Sequence, residues 1–148
     1  MQAGVVLLAL ATAGIHLYLF LIEGFLGNGM MLPIYQLLFV ANFLAYVVLT
    51  AVLYLPAAAL SRLPLSRLRL PARVLLTSIA TASIASYLHV HVFDFVGHLD
   101  KAIEVLLIAL LTVDAALSRR GAVGAALQLV AGLALGIVMF LILRPVMV

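Results

Sequence analysis

The sequence predicts an all-α fold: a polytopic transmembrane helix bundle of five spans, with the N-terminus inside and the C-terminus outside. Three observations carry this. The chain has 148 residues, of which 68% are hydrophobic and 9% charged, with a mean hydropathy of +1.36, whereas soluble domains are roughly a quarter charged. Five apolar runs follow one another, each near the roughly 20 residues that cross a bilayer as a helix. The basic residues gather in alternate loops. The length suffices for one bundle, residues 1–148, without a separate soluble domain.

The spans run approximately Ala3 to Ile22, Ile34 to Leu55, Val74 to Phe93, Ala102 to Leu117 and Ala122 to Leu143. The first has no basic residues before it and exceeds a signal-peptide core in length, so it reads as a retained span. Gly24, Gly27, Asn28, Gly29 and Pro33 break the chain before the second, and Pro56, Pro64 and Pro71 bracket the loop before the third. The third is rich in small residues: Ser78, Ala82 and Ser86 recur at four-residue spacing, as do Thr77, Thr81 and Ala85. Close backbone approach drives helix association in lipid, which places this span at the bundle centre. Gly97 marks the next turn. The fourth span is the shortest, and the count falls to four if it and the fifth do not both cross. Gly121 opens the fifth, whose Gly132 and Gly136 form a GxxxG pair suited to an internal contact or a dimer, with Gln128 one turn earlier. Asn42 and Gln36 in the second span call for partners on neighbouring helices.

Arg62, Arg67, Arg69, Arg73, Arg119 and Arg120 lie in loops on one side, against Lys101 and Arg144 on the other. The positive-inside rule assigns the arginine side to the cytoplasm of a plasma (inner) membrane. The stretch Ser61 to Arg73 alternates leucine with arginine and proline and is expected along the headgroups. Arg62, Arg67, Arg69 and Arg73 there act as a topology anchor or contact anionic lipid. The net charge of +3 reports orientation rather than nucleic-acid binding, since no basic aromatic surface accompanies it. Absence of cysteine excludes disulfides, thiolate metal sites and c-type haem attachment.

All four histidines and four of the five acids fall at the other end: His16, Glu23, His89, His91, Asp94, His98, Asp100 and Glu104. Ionisable groups near hydrocarbon are costly, and their collection is the main pointer to function. His16 lies six residues before the end of its span, roughly 9 Å below the interface, flanked by apolar side chains. Its bland reading is a neutral histidine bonded to Tyr87, Asn42 or a backbone carbonyl. His91, Asp94 and His98 stand at i, i+3 and i+7 and share one face if the helix continues past Phe93; Gly97 argues against that continuation. Together with His16 and Glu104 they are the candidate ligands for a transition metal, zinc, copper, iron or nickel. His89 and His91 point about 200° apart on a regular helix and should not share an ion. His89 could instead face His16 and bracket a b-type haem among Gly14, Ala85 and Ser86. The plain alternative is that these groups snorkel to water or pair with one another, Glu23, Asp100, Lys101 and His98 above all.

Three function classes fit. One is a small accessory or assembly component of a membrane redox or transport complex, packed against larger subunits or a second copy. Another is a free-standing metal- or haem-binding membrane protein or electron carrier. The third is a purely structural subunit or small carrier. A carrier needs polar groups throughout, and the arginine half offers only Asp114, assigned here to Arg119 and Arg120. No nucleophile-and-base pattern or phosphate loop points to an enzyme. The segments GIHLYLFLIEGF and LPIYQLLFVANFLAYVV resemble small bacterial integral membrane proteins with a His-Leu-Tyr-Leu run in the first helix, over roughly the first third of the chain. That resemblance implies membrane residence and no particular activity.

Overall fold

Apolar side chains at nearly every position of the long runs, with few charges, make helix the one local solution that satisfies its own backbone in lipid. A computed structural model of the chain describes residues 1–25, 33–55, 65–91, 94–118 and 121–147, the side chains of 23–25 and 65–66 excepted. The described residues are helical: α1 (Gln2–Leu19) continued by a π-helical turn (Phe20–Phe25), α2 (Pro33–Tyr54), α3 (Leu65–Val90), α4 (Phe95–Ala116) and α5 (Gly121–Leu143), then a 3₁₀ turn (Arg144–Val146). Among the described residues there is no strand. Four helices, α1, α2, α3 and α5, are long and apolar enough to cross a membrane. The fourth, α4, has 22 residues, about 33 Å at the helical rise, but it carries Asp100, Lys101, Glu104 and Asp114.

Local chemistry sets the helix ends. Pro33 opens α2, a position where its missing N–H costs nothing. Asp94 caps α4, its Oδ1 accepting from the Gly97 backbone N–H at 2.6 Å. Gly97 belongs to that first turn, where a Cβ would lie 2.5 Å from the Tyr87 ring and 2.6 Å from the Asp94 carboxylate. α3 begins earlier than its apolar run, at Leu65, and passes through Pro71. Proline removes one backbone hydrogen bond there, on an exposed face beside exposed Leu68 and Leu70. Of the segment expected along the headgroups, residues 61–64, including Arg62, lie outside the described residues, as do Arg119 and Arg120.

The helices alternate in direction. Thr12 meets Asp100 and Gly4 meets Leu110, so α1 and α4 are antiparallel. Tyr46 meets Glu104 and Tyr54 meets Asp114, so α2 and α4 run together. Ser83 meets Lys101 and Arg73 meets Asp114, so α4 runs antiparallel to α3. The interfaces α1–α2, α2–α3, α3–α4 and α4–α1 close a four-helix ring, and α5 lies against α3 and α4. His16, His89 and Asp94 thus share one end of the bundle, and Arg73 and Asp114 the other.

α3 and α5 pack most extensively. Gly132 faces Thr77 and Gly136 faces Thr81; a Cβ at Gly136 would sit 2.5 Å from the Thr81 Cβ and 2.6 Å from the Ser78 carbonyl oxygen. The hydroxyls of Thr77, Ser78 and Thr81 donate to the carbonyls of Arg73, Val74 and Thr77 one turn back, which satisfies them without a partner from α5. The GxxxG pair is therefore an internal contact.

Polarity is inverted relative to a water-soluble bundle. Val105, Leu106, Leu127, Val130 and Ile142 are more than half exposed, while Thr12, His16, Thr77, Ser78, Asp100, Glu104 and Gln128 are buried. Such a surface is stable facing hydrocarbon and unstable facing water.

Candidate metal centre

On α4, Asp100, Glu104, Leu107, Leu111 and Asp114 are all buried. Their spacing of four, three, four and three residues is the inward stripe of a packed helix. Two carboxylates near its first turns therefore point into the bundle, where side chains of α1 and α2 meet them and Ser83 of α3 meets their partner Lys101.

From α1, the Thr12 hydroxyl donates to Asp100 Oδ1 at 2.5 Å. From α2, the Tyr46 hydroxyl donates to Glu104 Oε1 at 2.8 Å. Lys101 Nζ donates to Asp100 Oδ2 and Glu104 Oε2, each at 2.7 Å, and to Ser83 Oγ of α3 at 2.5 Å. Each carboxylate oxygen thus has one donor, and the three ammonium protons are all engaged. Full pairing of this kind is what allows charges to persist in a low-dielectric interior.

His16 lies beside them. Its ring packs on Phe39 and Tyr46 of α2, with centroids 5.8 Å away in each case. Nδ1 is 2.9 Å from the Thr12 carbonyl oxygen. A carbonyl only accepts, so Nδ1 carries a proton and Nε2 is the nitrogen left to bind an ion. The same Nδ1 is 3.9 Å from Asp100 Oδ1. His16, Asp100 and Glu104 are 2%, 2% and 0% exposed, and each offers a ligand atom within 4.8 Å of those of the others. One imidazole and two carboxylates form a donor set suited to a divalent first-row metal ion.

Two of the sequence-predicted ligands, His16 and Glu104, belong to this group. His91, Asp94 and His98 lie outside it. The face they were to share requires an unbroken helix, and α3 stops at Val90: His91 has φ 57° and Asp94 is the extended cap of α4. The three side chains are exposed. His91 Nδ1 is 2.6 Å from the His89 carbonyl oxygen, and His98 Nδ1 is 2.6 Å from the Asp94 carbonyl and 3.0 Å from the Tyr87 hydroxyl. His89 stands edge-on to Phe140 of α5 at 5.7 Å, whereas His16 packs against α2. Gly14, expected beside a macrocycle, has nothing within 4 Å of a Cβ position. The Glu23 side chain is outside the described residues.

Sequence reasoning treated Asp100 and Lys101 as groups that reach water or pair with a neighbour, and Lys101 does pair with Asp100 and Glu104; it did not single out Thr12, Tyr46 or Ser83. The α4 spacing contained the signal for Asp100, because its phase is that of Leu107 and Leu111. At the opposite end Asp114 pairs with Arg73 and accepts from Tyr54 at 3.3 Å, where proximity in sequence had pointed to Arg119 and Arg120.

Comparison with protein-family models, characterised proteins and solved structures gives no match.

Proposed function

We propose that this chain is a small five-span membrane protein that binds a divalent transition metal ion through His16, Asp100 and Glu104. In this reading it serves as an accessory or assembly component of a membrane redox or transport complex. The observation that carries the reading is the mutual approach, within 4.8 Å, of one imidazole and two carboxylates drawn from two helices. The Thr12 carbonyl that holds the His16 proton on Nδ1 orients the ring as an outer-shell acceptor does around metal-bound histidines. Lys101 is the internal cation of the same place, and a metal would displace its ammonium from both carboxylates.

Titration of detergent-purified, chelator-stripped protein with Co²⁺, followed by its visible bands and by elemental analysis after gel filtration, tests this. Wild type is expected to retain one ion per chain. His16→Ala and Glu104→Gln are each expected to weaken retention by about 10–100-fold, the usual range for loss of a metal-site group. His91→Ala and His98→Ala are expected to leave it unchanged. Absence of retained metal, or its loss with His91→Ala and not with His16→Ala, overturns the assignment.

Five crossings and an inward N-terminus follow in this reading from the alternating helix directions and the arginine-rich end, where Arg67 and Arg69 are exposed for anionic headgroups. The chain has no cysteine, so single cysteines report topology without background. An impermeant maleimide added to intact cells is expected to label Phe95→Cys and spare Ser118→Cys. Labelling of both would mean that α4 does not cross, and the reverse pattern would invert the orientation.

A further inference from the structure

Beside the buried carboxylates lies a cavity of about 910 Å³, reaching from His16, Asp100 and Lys101 to Tyr35, Tyr87 and Asp94 at the histidine end of the bundle. Its volume exists because α2 and α3 present small residues to it: Ala41 and Ala45 on one wall, Ala82, Ser83 and Ser86 on the other. Leucines there would have closed it. Apart from Asn42, the remaining wall is apolar, including Phe39, Ile79 and Met139. A space of this size falls within the range of about 300–1,000 Å³ used by small-molecule sites, with apolar walls and polar groups concentrated at one place.

Carboxylates outnumber ammonium groups on the cavity wall. Asp100, 2% exposed, faces the cavity, and the ammonium on its wall, Lys101, already donates all three protons. Asp94 adds a further carboxylate to the cavity wall. Aromatic groups border the same space, and the Tyr87 ring already holds the Lys101 ammonium at 5.9 Å from its centroid, a geometry in which a ring face attracts a cation.

We propose that this cavity binds an amphiphilic organic cation, a hydrophobic body bearing a positive nitrogen or phosphorus centre, with the body between α2 and α3 and the charge facing Asp100. The site goes beyond the metal reading and uses different walls, although Asp100 belongs to both. A neutral lipophile or a lipid acyl chain would fill the walls but make no use of the carboxylates of Asp94 and Asp100 on them.

The test is equilibrium binding of tetraphenylphosphonium to the full chain in nanodiscs with chelator present, corrected by empty nanodiscs. Tetraphenylborate, of nearly the same shape and opposite charge, is the control. The phosphonium is expected to bind at least about tenfold more tightly than the borate, a factor that corresponds to one favourable charge contact. Ala45→Leu and Ala82→Leu, made separately, are each expected to weaken it about tenfold while leaving Co²⁺ retention intact. Either variant that elutes as wild type in gel filtration suffices. Equal binding of the borate, unchanged binding in the filled variants, or a signal no greater than that of empty nanodiscs overturns the proposal. Loss of Co²⁺ retention with phosphonium binding preserved would count against the metal reading alone.

Discussion

Lys101→Met is expected to lower the stability of the bundle by about 3 kcal/mol, and added divalent metal to restore it. Its ammonium bonds both Asp100 and Glu104, and its side chain is 15% exposed. Removing one partner of a buried ion pair leaves charge without compensation and costs about 3–5 kcal/mol. Protonation of one carboxylate offsets part of this. A metal ion at His16, Asp100 and Glu104 would supply the lost positive charge. The variant should therefore gain more thermal stability from Zn²⁺ than wild type does, because wild type must first release its lysine. Unfolding in detergent, scanned with and without Zn²⁺, reads both effects. Equal stability of variant and wild type would mean that Lys101 does not neutralise the pair. An equal response to Zn²⁺ in the two proteins would count against competition for one site.

Gly136→Val is expected to have an effect at least as large, for a steric reason. The new Cβ would lie 2.6 Å from the Ser78 carbonyl oxygen and 2.5 Å from the Thr81 Cβ. One is backbone and the other the branch point of a side chain fixed by its bond to the Thr77 carbonyl, so neither can give way. α5 must withdraw from α3 along its principal interface, a loss of about 3 kcal/mol or more. Gly14→Val is the matched control, since nothing lies within 4 Å of its Cβ position, and its effect should fall within about 0.5 kcal/mol. The fraction of monodisperse protein after detergent extraction and mild heating would separate the two variants. Similar behaviour in both would mean that the α3–α5 contact does not hold the bundle together.

These two sites illustrate how far the sequence could be read. The spacing of Gly132 and Gly136 and the small residues of α3 were legible as packing surfaces, because helical periodicity assigns a face to each residue without knowledge of the partner. That the two surfaces meet one another, rather than a second chain, depended on where α5 returns. The histidine end was legible as a polar region from span length and depth alone. Its grouping was not. His91, Asp94 and His98 lay close along the chain, but the break at Val90 and the cap at Asp94 turned them outward. The group that formed instead joins His16 to Asp100 and Glu104, 84 and 88 positions away by their numbers.

What the sequence determined by itself is therefore one-dimensional: helices from apolar runs, the breaks between them from proline and glycine, and the gathering of ionisable groups toward one end. Each follows from local backbone chemistry or from the cost of charge in hydrocarbon, which acts on every residue wherever its neighbours lie. Only the tertiary structure decided which imidazole meets which carboxylate, that Arg73, 41 positions away, reaches Asp114, and that α2 and α3 leave a cavity between them. Those outcomes depend on the rotation and pairing of whole helices, which the summed packing of five helices fixes and no single stretch of the chain encodes.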